Sequence, residues 1–187
     1  MTFQDADGCA AARLVVGMSE SVPSAAFREA MAHFASGVTI VAARRSGGLI
    51  GFTATGFTSV SLSPPLILVC VAKTASAYDG VVGAELFGVS VLGEGQRWIA
   101  ERFATTGIDR FDGVSVLQGA VASVPLIDGA LAHLECRPHA RHDAGDHTLL
   151  VGHVVSATTS ATTTSERPLL HYARRFGAFA PGGHAGP

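Results

Sequence analysis

Four strand-length runs follow one another between Val38 and Ala72, each ended by glycine, proline or a polar turn. Val38 to Ala43 is rich in β-branched residues, Arg44 to Gly48 is a turn, and Leu49 to Thr53 is placed to pair back as a hairpin strand. Thr58 to Leu62 alternates hydroxyl and apolar side chains, as a half-buried strand does, and Pro64-Pro65 breaks it. Leu66 to Ala72 is the most apolar of the runs. Closely spaced strands leave unpaired edges unless the sheet closes, so the expected architecture is mainly β (α+β), a closed antiparallel barrel with flanking helices.

The rest of the chain fits around that barrel. Pro23 and Ser24 open a helix in which Phe27, Ala30, Met31 and Phe34 recur at i, i+3, i+4 and i+7 before Gly37. Ala75 to Gly83 reads as a short helix and Phe87 to Leu92 as a strand. Glu94 to Thr105 is a helix with Trp98, Ile99 and Phe103 roughly on one face. Phe111 to Pro125 reads as loop. Leu131 to His142 and Thr148 to Ala157 are strands joined by Asp143-Ala144-Gly145-Asp146, a plausible hairpin connection. The Ser/Thr tract from Ser156 to Ser165 reads as a surface excursion, and Leu169 to Phe179 ends the domain. The expected organisation is a flexible tail over 1–22, one domain over 23–180 and a second tail over 181–187.

A chain of 187 residues supports one domain with a substantial core. Its longest apolar stretch, Pro64 to Ala72, is a buried strand's length and far short of a bilayer crossing. The first residues carry acids where a secretory signal would carry bases, which makes the cytoplasm the expected location. A net charge of −2 without any basic block argues against nucleic acid as a partner. Cys9, Cys70 and Cys136 match neither a disulfide framework nor a zinc motif. The latter two lie in strand-like runs and read as small buried residues.

The stretch from Gly51 to Ser76 is dense in hydroxyls and glycines and nearly free of acids and bases. Such a segment suits a ligand that brings its own reactivity. Lys73-Thr74-Ala75-Ser76 leaves a strand and enters a helix, so it can receive a phosphate or simply cap the helix at Ser76. Thr53 to Ser59 can bond a heterocycle's edge, or it can be a barrel strand chosen for β-propensity. His139, Arg141, His142, Asp143, Asp146 and His147 gather potential metal ligands at no recognised spacing. His147 reads better as a hydrogen-bonding or proton-handling group. No G-x-S-x-G nucleophile elbow and no G-x-G-x-x-G dinucleotide fingerprint is present.

Taken in order, several pieces resemble the short-chain flavin reductase family. They are Phe27-Arg28-x-Ala30-Met31-x-x-Phe34-Ala35-x-Gly37-Val38-Thr39, Gly51-Phe52-Thr53-Ala54, and Phe57-Thr58-Ser59-Val60-Ser61-Leu62-x-Pro64-Pro65-Leu66. Phe87-x-Val89-x-Val91-Leu92, Arg102-Phe103-Ala104, Gly129 to Cys136, and Gly145-Asp146-His147-Thr148 follow. The resemblance runs from about Phe27 to Phe179. It implies an FMN-binding split barrel, a Greek-key fold that forms a homodimer, and an NAD(P)H:flavin oxidoreductase supplying reduced flavin to a two-component monooxygenase. A flavin carrier or sensor without reductase activity is the alternative.

By the same resemblance, Thr53, Ala54, Thr55, Gly56, Ser59, Val60 and Ser61 line the flavin ring and ribityl chain, and Ala72, Lys73, Thr74 and Ser76 hold its phosphate. Phe103 lies near the flavin and His147 beside the nicotinamide. Tyr172 and Arg174 match a C-terminal Tyr-x-Arg element near the nucleotide sites. The cofactors implied are FMN or FAD, with NADH or NADPH as co-substrate, and no metal. The chain departs from the family's frequent Thr-Ala-Asn-Ser-Phe at Thr55-Gly56, and Ser63 replaces the frequent Asp before the proline pair.

Overall fold

A computed structural model of the chain describes residues 21–121, 123–159 and 167–179. The expected tails fall outside these residues except for Ser21 and Val22, as do residues 160–165 of the Ser/Thr tract. The elements in order are α1 (Ser24–Ala32), β1 (Ser36–Gly37), β2 (Thr39–Arg45), β3 (Gly48–Ala54), β4 (Phe57–Leu62), β5 (Pro65–Ala72), α2 (Tyr78–Val82) and β6 (Phe87–Val91). A 3-10 turn (Glu94–Gln96) leads into α3 (Arg97–Ala104). Then come β7 (Val116–Gln118), β8 (Pro125–Ile127), β9 (Ala132–Ala144), β10 (His147–Thr159), β11 (Leu169–Tyr172) and β12 (Arg175–Ala178).

Seven strands form one antiparallel sheet in the order β3-β2-β6-β9-β10-β5-β4. β3 and β4 are therefore its two edges, yet only Thr55 and Gly56 separate them along the chain. A sheet whose outer strands are joined by two residues must curl until those edges meet. The edges face each other without a ladder between them, so the barrel is split. This corrects the expectation of a fully closed barrel and agrees with the split form that the resemblance implied. Gly56 carries the joint by accepting the Cys70 N–H at 2.8 Å on β5.

Burial on β2 is continuous from Thr39 to Ala43 because core lies against both of its faces. Val41 and Ala43 point into the barrel with Val69, Val71, Phe87, Val89 and Leu150. Ile40 and Ala42 point outward, under α3, with Leu92, Ile99, Phe103 and Leu169. β5 faces the interior with Ile67, Val69 and Val71 and shows its alternate residues on the other side, which is the period of two expected of a strand. Phe87 is fully buried, and its ring tip fills the space above Gly152, where a Cβ would come within 2.6 Å.

Three sequence expectations change. The helix ends at Ala32, so Phe34 lies beyond it, and none of its residues is buried. Its apolar stripe is open, with Phe27, Met31 and Phe34 at 56, 47 and 69 % exposure. On α3, Ile99, Ala100 and Phe103 face the core, whereas Trp98 is half exposed. The stretch expected as loop contains the β7–β8 hairpin. Behind it the buried Glu135 carboxylate accepts the Ala120 and Val121 amides, both at 2.9 Å. Cys136 is buried as expected, which pushes its thiol pKa up to about 12, while Cys70 is only half-buried.

Candidate functional site

Register brings the candidate residues together. Ala72, at the end of β5, pairs with His147, at the start of β10. The Lys73 N–H extends that ladder by donating to the Asp146 carbonyl at 2.9 Å. The turn from Lys73 to Ser76 thus lies beside the β9–β10 hairpin. On the other side of β5, the β4 ladder places Phe57 opposite Val69 and Ser61 opposite Leu66.

β4 is an edge strand that bulges between Ser59 and Ser61, leaving Val60 as the extra residue, half exposed. Thr55, Gly56 and Ser59 are exposed and Ser61 half-buried. Bulges at sheet edges re-aim side chains and interrupt pairing. The outer side of β4 therefore presents hydroxyls and backbone groups that no neighbouring strand of the sheet consumes. Thr53 differs, because its hydroxyl donates to the Ala100 carbonyl of α3 at 2.6 Å. The Ala54 carbonyl accepts the Thr39 hydroxyl at 3.1 Å. These two residues anchor the end of β3 to what lies around it.

At the hairpin, the Lys73 ammonium donates to Asp143 Oδ2 at 2.6 Å and to the Gly145 carbonyl at 2.7 Å. Its hydrogen bond, then its charge, hold the Asp143 carboxyl below the usual 3.8. His147 Nδ1 meets Asp146 Oδ1 at 2.7 Å, and this bond, followed by the charge of the ring, lowers the Asp146 carboxyl in the same way. An ionised carboxylate only accepts, so Nδ1 carries the proton, and Nε2 can accept whenever the ring is neutral. Tyr78 Oη and Thr148 Oγ1 lie 2.7 Å apart and tie α2 to β10.

Thr74 and Ser76 are exposed, and α2 begins after Ala77 without a side-chain cap. Ser76 is therefore not the cap of that helix. Phe103 is fully buried and stacks edge-on against Phe111, with centroids 4.8 Å apart, so it forms the floor behind β3. Tyr172 and Arg174 belong to the β11–β12 hairpin, where Ala173 and Arg174 take the positive φ values of a two-residue turn. Their contacts are with α1 and its C-terminal cap, Arg174 to Glu29 at 2.6 Å and Tyr172 edge-on to His33. Among the described residues, no group of three or more His, Cys, Asp or Glu side chains is gathered as metal ligands. No described helix is long and apolar enough to cross a membrane.

Exposed hydroxyls along an open strand edge, a hydroxyl-bearing turn and a partly exposed imidazole form a donor and acceptor set that suits a flat heterocycle with a phosphorylated tail. The sequence profile of the flavin reductase like domain matches residues 31–180. The chain belongs to this family. It is 42% identical over 151 residues to the NADH:riboflavin 5'-phosphate oxidoreductase of Streptomyces pristinaespiralis, covering 80% of this chain and 85% of that one. It is 33% identical over 163 residues to the reductase subunit HsaB of a flavin-dependent monooxygenase from Rhodococcus jostii, covering 87% and 82%. The structure of a Streptomyces globisporus NADH:FAD oxidoreductase, solved with NAD and FAD fragments, superposes with a TM-score of 0.79 at 41% identity, covering 86% of this chain and 94% of that one.

Within this flavin reductase fold, Tyr78, which ties α2 to β10, carried no motif. Asp146 stood in the Gly145-Asp146-His147-Thr148 element, but its contact with the His147 ring shows only in the folded hairpin.

Proposed function

We propose that this chain reduces free FMN or FAD with a reduced nicotinamide nucleotide and hands the product to a partner monooxygenase. The observation that carries the reading is the placement of His147 beside the Ala72–Ser76 turn, next to an open, hydroxyl-lined strand edge. The two bound nucleotides supply the chemistry, a hydride passing from nicotinamide C4 to flavin N5.

The protein's part is placement. Backbone groups and hydroxyls from Thr55 to Ser61 hold the polar edge of the flavin ring, and donors there favour the negative charge that the ring gains. Thr53 and Ala54 position that segment from behind. Thr74, Ser76 and the adjoining amides receive the phosphate. His147 Nε2 accepts from the nicotinamide carboxamide, with the ring held by Asp146. Holding two reactants at near-attack distance lowers the barrel site's demand for acids and bases.

The relatives are named for NADH, for riboflavin 5'-phosphate or FAD, and for a monooxygenase, which supports NADH as donor, either flavin as acceptor, and an oxygenase as recipient. A homodimer completes the reading. α1 has an apolar stripe and buries none of its own residues, and a second copy would cover it. Tyr172 and Arg174, held against α1, would then lie at the subunit boundary.

The test mixes protein, NADH or NADPH, and a catalytic amount of flavin, and follows nicotinamide absorbance. Oxidation that depends on both protein and flavin is expected. Flavin binding without oxidation would instead make the chain a carrier or sensor.

A further inference from the structure

A phosphate needs a cation, and Lys73 is already committed. Its ammonium is paired with the Asp143 carboxylate at 2.6 Å and with a carbonyl at 2.7 Å, so its charge is largely spent within the hairpin. The turn that Lys73 begins nevertheless opens, at Ser76, into a cavity of about 450 Å³. Gly47, Gly48, Gly51 and Gly107 line it together with four apolar residues. Arg110 and Asp109 supply the charged groups of the lining.

Arg110 is held rigidly there. Its Nε donates to the Thr105 carbonyl at 2.8 Å and its Nη1 to the Gly51 carbonyl at 2.8 Å. Both partners are neutral carbonyls, and among the described residues no carboxylate lies within ion-pairing distance of the guanidinium. The Asp109 carboxylate is turned to the Phe111 amide, which it accepts at 3.0 Å. Burial lowers the guanidinium pKa, yet an arginine stays charged at neutral pH. A fixed, partly desolvated cation with spare N–H groups, facing a roomy glycine-lined cavity, is built to take an oxyanion in a forked contact.

We propose that Arg110 binds the flavin phosphate from this cavity, whose lining Ser76 shares. This rests on the flavin-site reading above and names the cation that Lys73 alone does not provide. The contact is made to the phosphate and not to the ring, so it separates flavins by their tails.

Fluorescence titration with riboflavin, FMN and FAD tests it without recourse to turnover. Arg110→Gln is expected to weaken FMN and FAD about tenfold or more and to leave riboflavin within about twofold. Arg110 also braces two carbonyls, so Ser76→Asp provides a second variant at an exposed position. It sets a negative charge in the cavity that an intact Arg110 also lines and is expected to give the same selective loss. Equal weakening of riboflavin and FMN in Arg110→Gln, with no change in Ser76→Asp, would reduce Arg110 to a structural brace and overturn the proposal. A loss confined to NADH titrations would overturn it in favour of the nicotinamide nucleotide. Failure of the unaltered protein to bind any of the three flavins would bring down the flavin-site reading itself, a result distinct from the other two.

Discussion

Gly56 rests against Cys70 so closely that a Cβ built on the glycine would lie 2.9 Å from the Cys70 Cβ and 3.3 Å from its sulfur. Real Cβ atoms essentially never come that near. The place where this chain leaves its family's frequent pattern is therefore matched by a residue on the neighbouring strand.

Gly56→Ser is expected to destabilise the protein by ~1–3 kcal/mol, the usual range for overpacking, because the backbone of the joint must shift. Removing the opposing Cβ with Cys70→Gly should relieve part of that loss. The double variant is then less destabilised than the sum of the singles, as read from urea midpoints. Additivity within ~0.5 kcal/mol would show that the two residues do not interact.

His147→Ala is expected to slow flavin reduction about tenfold, equivalent to ~1.4 kcal/mol, since positioning is shared among many groups. Riboflavin affinity should stay unchanged. Asp146→Ala frees the ring tautomer and should produce a smaller loss in the same direction. Steady-state kinetics with varied NADH separates the two, and unchanged turnover in a folded His147→Ala protein removes the residue from the mechanism.

The Lys73–Asp143 pair sets an acid limit on the hairpin. The Asp143 carboxyl is depressed in the folded state below its ordinary 3.8, so the folded state holds its proton less tightly than the unfolded chain. The pair's stabilisation is present above 3.8 and is lost as pH falls through the lower folded value. Lys73→Met should therefore flatten the pH dependence of amide exchange at Gly145 and Asp146 in that acid window. An unchanged profile would mean that the pair contributes nothing measurable, as exposed pairs often do.

Charge placed on the α1 stripe should separate the subunits of the proposed homodimer without unfolding them. Phe27→Glu and Met31→Glu alter a helix that has no buried residue in its own protomer. Analytical ultracentrifugation is expected to show a shift to monomer at micromolar concentration while far-ultraviolet circular dichroism stays the same. Loss of helix signal instead would mean that the stripe serves the protomer's own fold.

The strands were legible because their cues are local. β2, β3, β5, β6, β9 and β10 lie within a few residues of their expected spans, since β-branched runs and Gly/Pro punctuation act over short distances. The split was not legible in those local cues and came only with the family resemblance. It depends on β3 and β4 being opposite edges of one ladder, a property of strand order that no window reveals. The fate of individual side chains was harder still. A threonine in a ligand-like motif reads the same whether its hydroxyl faces a ligand or, like Thr53, a helix carbonyl. Lysine after a strand suggests a phosphate, and only the folded hairpin shows its charge already engaged. Arg110 has no motif at all, since its meaning comes from the cavity it faces.

The bulge at Val60 also bears on how the protein avoids sticking to itself. An open edge strand is a ready template for another chain's strand, and long, flat edges invite polymerisation. β4 is six residues long, is kinked midway by the extra residue, and is followed by the Ser63-Pro64 turn, whose proline lacks a donor. A foreign strand would find its register broken after a few bonds, whereas a small planar molecule needs only a few. The same irregularity that opens the edge to a ligand closes it to aggregation.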